Sequence, residues 1–301
     1  MSLKQLKRLA IALGVLILAW LSIEIIRDEP GDGITFLTMP NLAQGEIDSI
    51  VITRATNRVS LVAGDAMAWS VNGFRADSGA VADFTDNLVE DVRAELVAQN
   101  AASHGRFTIG DGEARRLQVY RGGDAMLDLL VGQRGSDFQS IYVRWPDDDD
   151  VYLARSQLGT FVDRPFNDWR DKRIAAVPAD SIAEVVISGR YTLTRADSGQ
   201  WDLDGSPADS AAVARLLNQF AALNASGFPT SAQMDSVDLE EPDRHLLLRN
   251  AARDVLAELS FDSTSASGYW VRRGGDSTVY RLDRFRVDQL VPADSTLRVG
   301  T

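Results

Sequence analysis

The sequence predicts an α+β protein: an N-terminal transmembrane helix followed by two tandem repeats, each a mostly antiparallel sheet with one or two covering helices. Three observations carry this prediction. Short β-branched segments divided by polar turns dominate the chain after residue 45. One ordered set of motifs occurs twice at a near-constant spacing. An unbroken apolar run lies near the start, behind a basic flank. The expected organisation is a signal anchor over 1–27, a linker over 28–44, a first repeat over 45–175 and a second over 176–301.

The anchor is read from residue 4 onward. Lys4, Lys7 and Arg8 precede the apolar run Leu9–Ile26, whose one charge is Glu24. At 1.5 Å per residue this run is about 27 Å long, enough for a ~30 Å hydrocarbon core. Trp20 suits the far interface, where Glu24 and Arg27 can snorkel. Glu24-Ile25-Ile26-Arg27-Asp28 offers no small-x-small cleavage site, so an uncleaved anchor is expected rather than a cleaved signal. Basic residues stay on the cytoplasmic side, and Asp28, Glu29 and Asp32 follow the run. The expected location is the cytoplasmic (inner) membrane, single-pass, with a periplasmic body. Pro30, Gly31, Gly33 and Pro40 mark the linker.

Each repeat opens on a strand, Ile47–Ile52 and Ile182–Ile187. A second strand follows, Arg58–Val62 and Tyr191–Thr194, and then a third opened by tryptophan, Trp69–Val71 and Trp201–Leu203. Ala76-Asp77-Ser78 and Ala208-Asp209-Ser210 come next, and the two aspartates lie 132 residues apart, as the two tryptophans do. Asp or Ser there suits a helix N-cap. Helices are expected behind them, with apolar faces at Val81, Phe84, Leu88, Val92 and Leu96, and at Val213, Leu216, Leu217, Phe220 and Leu223. Gly227 is the expected stop of the second. Strands over Leu117–Arg121 and Leu127–Val131 match Leu246–Arg249 and Val255–Leu259. Tyr142-Val143-Arg144 matches Trp270-Val271-Arg272, and Val151-Tyr152 matches Val279-Tyr280. A short helix over Ser156–Asp163 and the segment Pro165–Arg173 join the repeats.

This ordered set resembles a bacterial family, domain of unknown function 4340. The resemblance rests on the anchor, the Ile-Asp-Ser-Ile-Val-Ile opening, Trp69 with Ala76-Asp77, and a helix ending Ala94-Glu95-Leu96-Val97. Tyr142-Val143-Arg144, Val151-Tyr152 and Trp169-Arg170-Asp171-Lys172-Arg173 complete it. His104-Gly105-Arg106-Phe107 stands where the family often has a Tyr-Gly-Leu-Asp-like step. The resemblance implies an envelope protein found beside ABC-type export or gliding-motility components, and it brings no catalytic residues.

Composition narrows the chemistry. The chain is 45% hydrophobic and 25% charged, as globular proteins are. Its net charge of −12 disfavours nucleic acid as a partner. Without cysteine it has no disulfide, thiolate metal site or cysteine nucleophile. His104 and His245 are the only histidines, so any Ser-His-Asp triad or histidine metal site would need one of them. Neither sits in a recognisable motif. Asp147–Asp150 could attract Ca²⁺ but lacks the alternation and glycine of a calcium loop, and reads as a solvated hairpin tip. Trp69 and Trp201, being repeated, read as core, while Trp145, Trp169 and Trp270 could contribute to a surface. Gly110-Asp111-Gly112, Gly122-Gly123-Asp124 and Gly274-Gly275-Asp276 read as turns. No catalytic, cofactor-binding or metal-binding residue and no cofactor is therefore assigned. The expected function is a non-enzymatic envelope module with another membrane protein as partner. The alternatives are a hydrolase using paired carboxylates and a carbohydrate- or ligand-binding module.

Overall fold

The computed structural model describes residues 34–37, 44–65, 68–88, 92–235, 237–264 and 268–299. The expected anchor, 1–27, lies outside the described residues. Among those described, no helix is long and apolar enough to cross a membrane. The chain divides into two compact units. One holds the described residues up to Asn72 together with Gly79–Arg164, and the other holds Gly73–Ser78 and Pro165 onward.

The first unit is built around one antiparallel sheet. Its strands are β1 (Ile34–Leu37), β2 (Ser49–Arg54), β3 (Asn57–Ala63) and β4 (Trp69–Val71). The two-residue β5 (Phe74–Arg75) packs with the second unit. After it come β6 (Val92–Ala98), β7 (Arg115–Arg121), β8 (Asp124–Arg134), β9 (Ser140–Arg144) and β10 (Val151–Arg155). The order across the first unit is β1-β6-β10-β9-β8-β7-β2-β3-β4. Ile50, Ile52, Leu61, Val71, Leu117 and Val119 alternate inward along their strands and are buried. Helices α1 (Ser78–Asp86) and α2 (Leu158–Val162) bring in Phe84 and Phe161, whose rings stack at 4.8 Å. Within the expected linker, Ile34–Leu37 pairs with β6 as an edge strand.

The expected first helix is too long. It ends at Asp86, and Val92 and Leu96 belong to β6, which is paired on both sides, with β1 and β10. The ladder to β1 over 92–95 and the ladder to β10 over 94–98 give this segment partners for its backbone groups that a helix would otherwise have to supply. In the second unit, α3 (Ser210–Asn218) also ends early. Phe220 lies in a turn and Leu223 in the short strand β16 (Leu223–Asn224). Gly227 does not stop the helix but bridges to Arg281.

The second unit repeats the plan. Its strands are β11 (Arg173–Ala175), β12 (Glu184–Ile187), β13 (Tyr191–Arg195), β14 (Trp201–Leu203), β15 (Ser206–Pro207), β16, β17 (Arg244–Arg249), β18 (Val255–Ser263), β19 (Gly268–Arg273) and β20 (Val279–Asp283). The main sheet runs β15-β14-β13-β12-β17-β18-β19-β20, and β11 pairs with β16 apart from it. That pair corresponds to β1 with β6. Ser226 N and Arg281 N, which donate to Arg281 O and Gly227 O at 2.9 Å, mirror the joining of β6 to β10. The short α4 (Ser231–Met234) precedes β17, and α5 (Arg284–Leu290) closes the unit.

Asp209 caps α3 as expected, accepting from Ala211 N at 2.8 Å and Ala212 N at 3.0 Å. The end of each repeat returns to the capping tripeptide. Asp77 N donates to Trp169 O and Asp209 N to Leu297 O, both at 2.8 Å. Trp69 and Trp201 are core residues. Trp169 and Trp270 are also buried, so of the three tryptophans left open as surface candidates only Trp145 is partly exposed.

Candidate functional site

His104 and the acidic run lie together in the first unit. His104 is buried and its Nε2 sits 3.0 Å from the Asp149 carbonyl. The run itself is organised by Arg144, which is 4% exposed. Its guanidinium donates to the carbonyls of Ile109, Trp145, Pro146 and Asp148 at 3.0–3.1 Å, and pairs with Asp111. A cation loop would offer such carbonyls to a metal; here a side-chain cation already holds them. Among the described residues no three His, Asp or Glu side chains are grouped to hold a metal ion.

A different feature of the first unit stands out. Between β8 and β9 the chain turns through Gly135–Gln139. Gly135 N donates to Ser140 O at 2.8 Å and Phe138 N to Gly135 O at 3.2 Å. The Asp137 carboxylate accepts from Gln139 N at 3.1 Å, Ser140 N at 2.9 Å and Ser140 Oγ at 2.8 Å. These bonds, the Ser140 hydroxyl first, hold its carboxyl below the usual range. Phe138 at the tip has φ 57° and is 78% exposed. An aromatic residue in left-handed backbone is strained by about 1–3 kcal/mol and persists only where its surroundings impose it. Here the Asp137 bracket imposes it, and the result is a phenyl ring held in solvent on a fixed turn.

Beside Phe138, Gln139 lines a cleft of about 420 Å³ together with Asn87, Arg93, Arg155, Ser156 and Gln157. Arg155 donates to Gln139 Oε1 at 2.9 Å. Two guanidiniums, three carboxamides and a hydroxyl make a donor-rich wall on a strongly acidic chain, complementary to an anionic group. The sequence drew no attention to this rim, because Gly-Ser-Asp-Phe-Gln-Ser reads as an ordinary turn. Its one detectable signal was the pairing of Asp137 with Ser140 three residues on.

His245 lies on the outer face of the second unit's sheet. Its Nδ1 is 3.0 Å from Ser188 Oγ and its Nε2 is 2.8 Å from Glu258 Oε1. The same unit buries Arg170, whose guanidinium lies 3.5 Å from the Phe228 ring centroid and 4.0 Å from that of Phe74. Burial lowers its pKa, and cation–π contact with two rings supplies the compensation. Next to it, Asp171 pairs with Arg75 at 3.0 Å and accepts from Arg173 N at 2.9 Å, tying β5 to the segment after Trp169.

Among the described residues, the carboxyls of Asp137, Asp209, Asp243 and Asp294 are moved downward by hydrogen bonds. A glycosidase-type general acid needs the opposite displacement. Compared with known proteins, the chain matches over residues 69–242 a family model described as domain of unknown function (DUF4340). No curated protein and no solved structure matches it.

Proposed function

Because the chain belongs to the family of domain of unknown function 4340, whose description carries no activity, we propose its role from its own residues. It is an extracytoplasmic, membrane-anchored interaction module, accessory to an envelope complex of the ABC-transport or gliding type. Its contribution to that complex is binding. One observation carries this reading: a phenyl ring 78% exposed on a strained, hydrogen-bonded turn, beside an arginine-lined cleft. Binding hot spots favour aromatic and arginine anchors that are rigid before contact, since little entropy is then lost on docking. The apolar run Leu9–Ile26 behind Lys4, Lys7 and Arg8 supports the anchoring.

The test is affinity purification of the full-length chain from native membranes, as wild type and as Phe138→Ser. A membrane protein recovered in stoichiometric amount with the wild type and lost with the folded variant supports the reading. Equal recovery with both, or no specific partner with either, overturns it.

A further inference from the structure

We propose that Ser188 is an acylatable nucleophile, with His245 as its base and Glu258 positioning the base, so that the outer face of the second unit carries an ester-cleaving site. This goes beyond the binding role above and uses a different unit of the protein.

The sheet register brings the three residues together. Val186 pairs with Leu247, and Leu247 with Glu258. Ser188 N donates to His245 O at 3.0 Å, which places Ser188 across from His245 just past the end of β12. Side chains two residues apart share a face. Ser188, His245 and Glu258 therefore all project outward, opposite the buried Ile187, Leu246 and Leu259.

The hydrogen bonds assign the proton positions. A carboxylate only accepts, so His245 Nε2 carries the hydrogen that Glu258 receives. In the neutral ring Nδ1 then has its lone pair directed at the Ser188 hydroxyl. The imidazole is turned round from the commonest serine-hydrolase arrangement, in which Nε2 faces the serine, but the order nucleophile, base, carboxylate is the same. Gly274 leaves the room that the Glu258 carboxylate occupies: a Cβ there would meet Glu258 Oε2 at 2.8 Å. Ser188 is exposed at the end of its strand, where Gly189, at φ 71°, turns the chain sharply away.

The step balances within these groups. Ser188 Oγ adds to an ester carbonyl carbon while its proton passes to His245 Nδ1, and the carbonyl electron pair moves onto oxygen. Collapse expels the alcohol oxygen, which takes that proton from His245. Water repeats the sequence on the acyl-serine, releasing the acid and restoring the hydroxyl. Because Ser188 and Glu258 are exposed on an open sheet face, the fitting substrate class is a carboxylic ester borne on an extended molecule.

The test treats the full-length protein with a fluorophosphonate and maps the adduct by mass spectrometry, alongside turnover of p-nitrophenyl acetate. One adduct on Ser188 is expected, absent in Ser188→Ala and formed about 100-fold more slowly in His245→Ala. Glu258→Gln lowers kcat while KM and Tm stay in place. Gly274→Ala, which displaces Glu258 without altering its chemistry, does the same. No adduct on Ser188 of the folded wild type, or equally fast labelling of His245→Ala, overturns the proposal. The labelling reads a covalent adduct in the second unit and does not depend on recovery of a partner, so failure here is distinct from failure of the binding role.

Discussion

Replacing Arg144 with Met tests how the acidic hairpin is held. The guanidinium donates to four carbonyls and pairs with Asp111. Hydrogen bonds from a charged donor contribute roughly 1.5–3 kcal/mol each, but three of these acceptors lie at the hairpin tip, where water replaces the lost donor. The fourth belongs to Ile109, a fully buried residue, and its carbonyl loses a partner outright. Removing a buried cation offsets part of the loss, since its desolvation is no longer incurred. The net expectation is a loss of about 3 kcal/mol, of the order seen when a buried charged contact is broken. At roughly 2–4 °C per kcal/mol for a chain of this class, the melting transition falls by about 6–12 °C. Arg144→Lys keeps the charge but cannot span four acceptors, and recovers less than half. Millimolar Ca²⁺ leaves the wild-type transition in place, because the carbonyls are already taken. Calorimetry measures each variant, and Arg144→Met melting within about 1 °C of wild type would refute the argument.

The core gives further tests. Phe84→Ala removes a fully buried ring stacked on Phe161 and is expected to cost about 3–5 kcal/mol in urea unfolding. Gly159→Ala places a methyl 2.5 Å from Ile141 Cδ1, costing about 1–3 kcal/mol. Ile141→Val in the same chain relieves part of that. Burial first, then Asp276, pushes the Tyr280 phenol up to about 12. A raised folded pKa adds stability that is whole below the unfolded value of about 10 and is lost as pH rises through 12. Absorbance titration should therefore find a late-ionising tyrosine that Tyr280→Phe removes, with the alkaline stability loss reduced.

Strands were legible where β-branched residues alternate between turns, and Trp69–Val71 and Trp201–Leu203 lie where the sequence places them. The end of the first helix was not. Leu88, Val92 and Leu96 are spaced by four, and four residues return to the same face in a helix and in a strand alike. Spacing alone therefore could not separate α1 from β6; the ladders to β1 and β10 decide it. Sites were less legible still. His245 and Glu258 lie on two strands, Ser188 lies just past the end of a third, and they form no local motif, so only the register joins them. The acidic run was visible, but the residue that governs it is Arg144, which in the sequence only ends Tyr142-Val143-Arg144, the match of Trp270-Val271-Arg272. Its equivalent, Arg272, donates at 3.2 Å to the Leu239 carbonyl, so the shared position serves a different loop in each unit. Phe138 was missed because its left-handed backbone depends on the Asp137 bracket, and residue type gives no warning of it.

The binding role is tested most directly by photocrosslinking from position 138. A benzophenone amino acid replaces Phe138 in the full-length chain in cells, with a control at exposed Arg58. One dominant crosslinked envelope protein is expected from position 138, absent from position 58 and lost when Asp137→Ala releases the turn. The same products from both positions, or a crosslink that survives Asp137→Ala at full yield, would contradict it.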